Sequence, residues 1–266
     1  MREAAALLRA SALTALSYRL QMVLGLCGVL VTVVPVYFAA RALQPLMAPS
    51  IAGQGGEYFG FVLVGMTAFQ LLVPALTALP GAVGAGIRSG TLEAMLATPV
   101  RLHALLAGLV AYDLAWAAVR AAVLLAAGVA MGATLSWHGA PAALGILLLL
   151  VLAHLPVGVL GAALVLAFRT TGPLPKLVLT ASVLLGGVYY PTHVVPGGLD
   201  RAAAALPLAY GLRALRRTLL DGAPLAVVGG DVAVLAGFAA VLTAASSLVF
   251  LAALAHARRA GTLAQY

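Results

Sequence analysis

Asp113 and Arg120 are the only charged residues well inside an apolar run long enough to cross a bilayer. They stand seven residues apart, about two helical turns, so they share one face. An arginine on a helix leans back toward the preceding turn. That carries the Arg120 guanidinium over Trp116, within reach of a cation–π contact. Two roles fit the pair: a polar point in a substrate path, or an ion pair or snorkelled charges that serve structure alone. Other chemistry is scarce. His103, His138, His154, His193 and His256 are scattered, with no pair at metal-ligand spacing. A lone histidine within an apolar run, such as His154, reads as a helix-packing hydrogen-bonder. No two carboxylates lie close enough in sequence for acid–base work. There is no G-x-x-x-x-G-K-[S/T] phosphate loop, so the chain does not hold ATP in that way. The single Cys27 excludes an intrachain disulfide and a cysteine-based metal site.

The composition dictates what must position these residues. Of 266 residues, 64% are hydrophobic and 8% charged, with a mean hydropathy of +1.11. Soluble domains carry about 25% charged residues. So much apolar surface needs lipid as its solvent, and the expected class is an all-α polytopic membrane protein. The formal charge is +8, and every basic residue but Lys176 is arginine. Basic flanks that orient membrane helices account for this excess better than nucleic acid does. Residues 1–19 alternate Leu7, Leu8, Leu13 and Leu16 with Arg2, Glu3, Arg9 and Arg19, which predicts an amphipathic helix lying in the membrane interface. The first twenty residues lack a compact apolar centre with a small-residue cleavage site, so no cleavable signal is expected.

Six spans are expected within residues 20–266. The first is Met22–Ala40, closed by Arg41 and followed by a turn-rich connector with Pro45, Pro49, Gly53, Gly55 and Gly56. The second lies within Tyr58–Gly86, with a kink at Pro74 and Pro80. The third covers about residues 104–133, where Gly128-x-x-x-Gly132 fits close helix packing. No Asp, Glu, Lys or Arg occurs from Ala121 to Phe168, which holds the end of the third span and the whole fourth. Leu177–Tyr190 is short for a crossing. Pro191, Pro196, Gly197, Gly198 and Pro207 then punctuate short apolar pieces, fitting two small re-entrant helices on the outer side, about residues 191–222. In the second of these, Arg213, Arg216 and Arg217 form one face, and Leu212, Leu215 and Leu219 the other. Val232–Ala255 is the sixth span. With both termini in the cytoplasm, nine Lys and Arg fall on inner segments and five on outer ones, the orientation the positive-inside rule favours.

One polar excursion interrupts the apolar runs, Gly86–Arg101, reading G-I-R-S-G-T-L-E-A-M-L-A-T-P-V-R. Gly90 and Thr91 can open a helix, and Glu93 in its first turn suits the positive end of the helix dipole. Leu92, Met95 and Leu96 make a small apolar face. Thr98-Pro99 ends it. In the expected orientation this stub of about two turns lies on the cytoplasmic side.

G-T-L-E-A-M-L-A-T-P-V after a second span resembles the cytoplasmic coupling segment of type-2 ABC exporter permeases. A second match is G-G-V-Y-Y-P-T-H-V-V-P-G-G-L-D-R-A-A-A-A-L-P-L-A-Y-G-L-R-A-L-R, similar to that family's loop after span five. The order of six spans extends the resemblance over the whole chain. One departure is Ile87-Arg88-Ser89, which stands where the family often has acidic residues. The resemblance implies a transport subunit that is not itself an enzyme. Two copies, as a homodimer, form the path in a bacterial inner membrane, above two copies of a separate ABC ATPase subunit. ATP and Mg belong to that partner, and this chain has no cofactor of its own. It further implies that Arg88, Thr91, Leu92, Glu93, Met95 and Leu96, in a coupling helix over about residues 88–99, contact the ATPase. The expected substrate is an amphiphilic or lipophilic drug, lipid or glycolipid; a polysaccharide or glycoconjugate is the alternative. Tyr189, Tyr190 and Tyr210 join Asp113 and Arg120 as candidate path residues, although interfacial tyrosine is also what a membrane boundary selects. Arg213, Arg216 and Arg217 can meet anionic lipid headgroups or an anionic substrate, or simply water. A membrane-embedded lipid-modifying enzyme would need clustered Asp, Glu or His at one face, which the sequence lacks. An ATPase-independent carrier would not need the G-T-L-E segment.

Overall fold

The computed structural model describes residues 19–91, 102–168, 174–194 and 199–259. The N-terminal residues 1–18, expected to lie in the interface, fall outside that set. Among the described residues all regular structure is helical: α1 (Arg19–Ile51), α2 (Tyr58–Arg88), α3 (Leu102–Ala130), α4 (Ala140–Phe168), α5 (Leu174–Leu185), α6 (Leu199–Ala204), α7 (Pro207–Leu219) and α8 (Leu225–Arg259), with single 3-10 turns at Trp137–Gly139 and Thr192–Val194. Of these, α1, α2, α3, α4 and α8 are long and apolar enough to cross a membrane. In hydrocarbon only a helix satisfies all its own backbone groups, which is why the charge-free runs take this form.

Several boundaries differ from those the sequence predicts. Proline does not end α1 at Ala40: the helix continues through Pro45 and Pro49 to Ile51. The reversal is made instead by Gly55 and Gly56, at φ 97° and 67°, a region glycine enters without steric penalty. Gln44, about two turns before the end of α1, holds this turn. Its amide nitrogen donates to the Gly56 carbonyl at 2.9 Å, and its oxygen accepts the Tyr58 N–H at 2.6 Å. That N–H is one of the four at the start of α2 with no intrahelical acceptor. Likewise α2 runs unbroken through Pro74 and Pro80. The fifth crossing is not a full helix. At 1.5 Å per residue the 12 residues of α5 span about 18 Å, against about 30 Å of hydrocarbon. The chain leaves the helix at Gly186 and turns at Gly187, φ 82°.

Interdigitation of α2 and α4 forms the centre of the bundle. Leu72, Leu76, Leu150, Ala153, Leu208 and Leu212 are buried in the largest apolar cluster, shared with α7. α2 is mostly enclosed, whereas α1, α3 and α8 keep largely exposed outer faces suited to lipid. Small residues let the backbones approach. A Cβ added to Gly158 of α4 would stand 2.4 Å from the Ala75 carbonyl oxygen, and one on Gly128 would stand 2.2 Å from Leu63. The other glycine of the Gly128-x-x-x-Gly132 spacing does not pack: Gly132 sits at φ 103° in the turn after α3. α1, α3 and α7 end where α2, α4 and α8 begin, and this loop end is stapled across elements. Ser136 N–H donates to the Leu219 carbonyl at 2.6 Å, and Thr134 Oγ1 to Glu57 Oε2 at 3.3 Å.

Gly158→Ala is expected to lower the unfolding midpoint in detergent, by the equivalent of about 1–3 kcal/mol of overpacking. Gly145→Ala, where a Cβ meets open space, is expected to leave the midpoint level or raise it, through the better helix propensity of alanine.

Candidate transport path and its anchoring

The sequence places the three arginines of α7 on one helical face, toward headgroups, an anionic substrate or water. The structure separates them. Arg213 forms an ion pair with Asp231 of α8, with Nη2 2.5 Å from Oδ1 and Nε 3.0 Å from both carboxylate oxygens. Arg217 is half-buried. Arg216 is only 2% exposed and has no carboxylate partner among the described residues. Its Nε donates to the Phe61 carbonyl of α2 at 3.0 Å and its Nη2 to the Val188 carbonyl at 2.9 Å, and the guanidinium lies 3.3 Å from the centroid of the Phe61 ring. A helical carbonyl has a second lone pair for such a bond. Two charge-assisted bonds at about 1.5–3 kcal/mol each, together with a ring face, offset a desolvation penalty of several kcal/mol. Gly65 makes the notch for this contact: a Cβ there would stand 2.3 Å from the Val188 oxygen and 2.7 Å from Arg216 Nη2. Arg216 lies about 40° from Leu212 around the helix, nearer the apolar stripe than Arg213 or Arg217.

The tyrosines proposed for a path also act as ties. Tyr58 Oη donates to the Tyr189 carbonyl at 2.8 Å, and Tyr190 Oη donates to the Leu184 carbonyl. Tyr210 Oη donates to Ala204 at 3.1 Å, while its ring meets Phe238 and the Arg213 guanidinium. His154 is buried, and its Nδ1 bonds the Leu150 carbonyl at 2.8 Å, so that nitrogen carries the proton. The bond lies within α4 rather than between helices, and Nε2 is buried with no hydrogen-bond partner among the described residues. Among the described residues no group of three His, Cys, Asp or Glu comes together to hold a metal.

Two cavities flank α3. One, about 570 Å³, lies between α2, α3, α4 and α7 near the loop end, lined by Val64, Ala68, Leu125, Leu147 and Leu215, with Trp137 at its rim. Its Thr67 hydroxyl is spent on the Leu63 carbonyl, so the walls are almost wholly apolar. The other, about 480 Å³, lies on the opposite flank, between α2 and α3. Val73, Thr77, Gly81 and Ala85 of α2 face Asp113, Trp116 and Arg120 of α3 across it. The structure thus brings Asp113 and Arg120 to one groove and leaves Tyr189, Tyr190 and Tyr210 out of both linings. The ion pair, one of the two readings of these residues, is not made, since among the described residues only Arg213 and Asp231 pair. Nor is Arg120 over Trp116 one of the cation–π contacts present there. Asp113 is exposed, and Arg120 Nε is enclosed with no hydrogen-bond partner among the described residues. At a helix centre in a bilayer each such charge costs about 2.5–3.5 kcal/mol on insertion scales, so charged groups there face a bundle interior or water.

At the opposite end, α2 stops at Arg88. The Ser89 N–H returns to Ala85, the Gly90 N–H to Ile87, and Gly90 takes φ 68°. Gly90 is the left-handed stop of α2, a position where glycine is favoured, and helical backbone resumes directly after it at Thr91. Thr91 Oγ1 and Ser89 Oγ are 2.8 Å apart, and Arg88 and Thr91 are both exposed. Leu92, Glu93, Met95 and Leu96 lie outside the described residues.

Arg216→Lys and Arg216→Met are both expected to destabilise the protein by about 2–4 kcal/mol. A lysine point charge cannot span two carbonyls and lie flat on a ring, and methionine leaves both buried acceptors without a side-chain donor. Arg217→Ala is expected to stay within about 0.5 kcal/mol. Thermal unfolding in one detergent compares all three.

A family model described as ABC-2 type transporter matches residues 1–220. Nodulation protein J of Rhizobium meliloti (strain 1021) is 30% identical over 194 residues, covering 70% of this chain and 71% of that protein. Nodulation protein J of Rhizobium leguminosarum bv. trifolii is 31% identical over 172 residues, 62% of this chain and 63% of its own length. Its counterpart from bv. viciae is 29% identical over 181 residues, 65% and 67%. The matched region takes in α1 to α7, including the stop of α2 at Gly90 and the Arg216 anchor. The chain belongs to the ABC-2 type transporter family, as a membrane-spanning transport subunit.

Proposed function

We propose that this chain is the permease of an ATP-driven exporter that moves an amphiphilic substrate, a drug, lipid or glycolipid, out of the cytoplasm or the inner leaflet of a bacterial cytoplasmic membrane. The observation that carries the reading is the pair of cavities on the two flanks of α3: one apolar, the other holding Asp113 and Arg120. A lipophilic group finds a matching surface on the first, and the groove offers an amphiphile charged groups beside the apolar Trp116 and Val73. Two copies of the chain enclose the path, both termini face the cytoplasm, and two ABC ATPase subunits supply the energy. The segment beginning at Arg88 and Thr91 and continuing through Leu92, Glu93, Met95 and Leu96 docks on the ATPase. A glycoconjugate substrate is the second reading. It is favoured by the single indole in each cavity, Trp116 and Trp137, because sugar faces pack on aromatic rings.

Co-purification with an ATPase encoded beside this chain, and the hydrolysis rate of that complex in nanodiscs against a panel of lipids, drugs and glycans, tests the assignment. Stimulation by at least one amphiphile is expected; transport by the chain alone in vesicles would overturn it. The double variant Leu92→Asp, Glu93→Arg is expected to lose ATPase docking, read as loss of co-purification, while the chain still inserts and folds. Undiminished docking would remove these residues from the contact.

A further inference from the structure

We infer that Arg120 is the anchor for an anionic group, a phosphate or carboxylate, carried by the substrate. This rests on the reading of the α2–α3 groove as part of the path. The guanidinium belongs to the middle of α3, 18 residues from one end and 10 from the other, at a depth where α2 offers it only Val73, Thr77 and small residues. Its Nε is enclosed and partnerless among the described residues, and Asp113, two turns away, does not pair with it. The Thr77 hydroxyl is committed to the Val73 carbonyl at 2.7 Å, so its proton is not free for a ligand. Arginine stays charged in protein interiors. Arg216 meets the same difficulty with two carbonyls and a ring, whereas Arg120 faces a groove of about 480 Å³. A phosphate or carboxylate entering there would accept from the guanidinium fork, the geometry that arginine favours. Its alkyl part would lie on Trp116, Val73 and Ala78. Asp113 stands at the same groove with the opposite sign. It opposes a second negative charge and so favours a monoanionic or dipolar headgroup over a polyanionic one.

The test measures binding of tritiated methyl dodecyl phosphate, a monoanionic diester, and tritiated dodecanol to the full chain in phosphatidylcholine nanodiscs. Wild type is expected to prefer the phosphate. Arg120→Gln is expected to weaken phosphate binding about tenfold or more and leave dodecanol unchanged, as loss of a desolvated charge-assisted contact does. Arg120→Lys should recover part of that loss, and Asp113→Asn should tighten phosphate binding at least about twofold by removing a like charge. Phosphate affinity unchanged in Arg120→Gln would overturn the inference. So would dissociation of a dimer in that variant, since the guanidinium would then be answered by a second copy. Dodecanol bound as well as the phosphate, and blocked by Trp116→Leu, would overturn the anion anchor and keep the groove as a path. If Trp116→Leu changes neither ligand, the groove itself is excluded from the path.

Discussion

Ending a helix inside an apolar bundle frees backbone carbonyls that need donors, and one buried guanidinium supplies a donor here. After α5 the chain turns at Gly187, and the Val188 carbonyl points into the protein. Arg216 takes it, and takes the Phe61 carbonyl of α2 with the same planar group. The neighbours are arranged around this contact. Gly65 leaves the space, Phe61 supplies the ring beneath the cation, and the Tyr58 hydroxyl holds the next carbonyl along, that of Tyr189. Loss of any of these reopens the cost of unsatisfied groups in an apolar medium. The short α5 can exist because α7 completes its backbone bonding from the side.

The second constraint is steric. α2 and α4 cross closely because Gly158 and Gly161 present no side chain toward Ala75 and Pro80. In lipid, where water does not drive apolar faces together, this close fit is the main attraction between helices. It makes a two-helix spine against which the other elements lean. α3 lies along α2 and reaches α4 through side chains, Ala117 and Ala121 against Leu147 and Val151, and the spaces left on its two sides are the cavities. The chemical contrast between them comes from α3 itself. The Leu125 side is apolar, and the side with Asp113, Trp116 and Arg120 is not.

Much of this was legible in the residues, because the distances between charges are set by membrane thickness. α3, α4 and α8 appear where the apolar runs place them, and the deficit of α5 was visible in its length. The errors came from proline. Pro45 and Pro49 read as a connector, yet α1 absorbs them, since in lipid the helix is the best available state even when one bond is missing. The true turn was marked by Gly55-Gly56 and by Gln44, whose reach across the reversal has no sequence signature. Arg216 was grouped with its neighbours by residue type, although its angular position beside Leu212 already set it apart. Gly128 and Gly132 looked equivalent; only the packing of Leu63 against the first and the positive φ of the second tell them apart. The groove position of Asp113 and Arg120 followed from their spacing, but the absence of a bond between them did not.

α2 joins the two ends of the molecule in one piece. Its 31 residues measure about 46 Å, with Arg88 at one tip and Phe61 close to the other. A rod of that length tilted by about 5° carries its far tip through about 4 Å, roughly three-quarters of the rise of one helical turn. Because Phe61 is bolted to Arg216, the swing does not stay in α2: it drags the turn after α5 and the root of α7 with it. A displacement of the Arg88 tip is therefore carried along one continuous helix to the end where Phe61 meets Arg216.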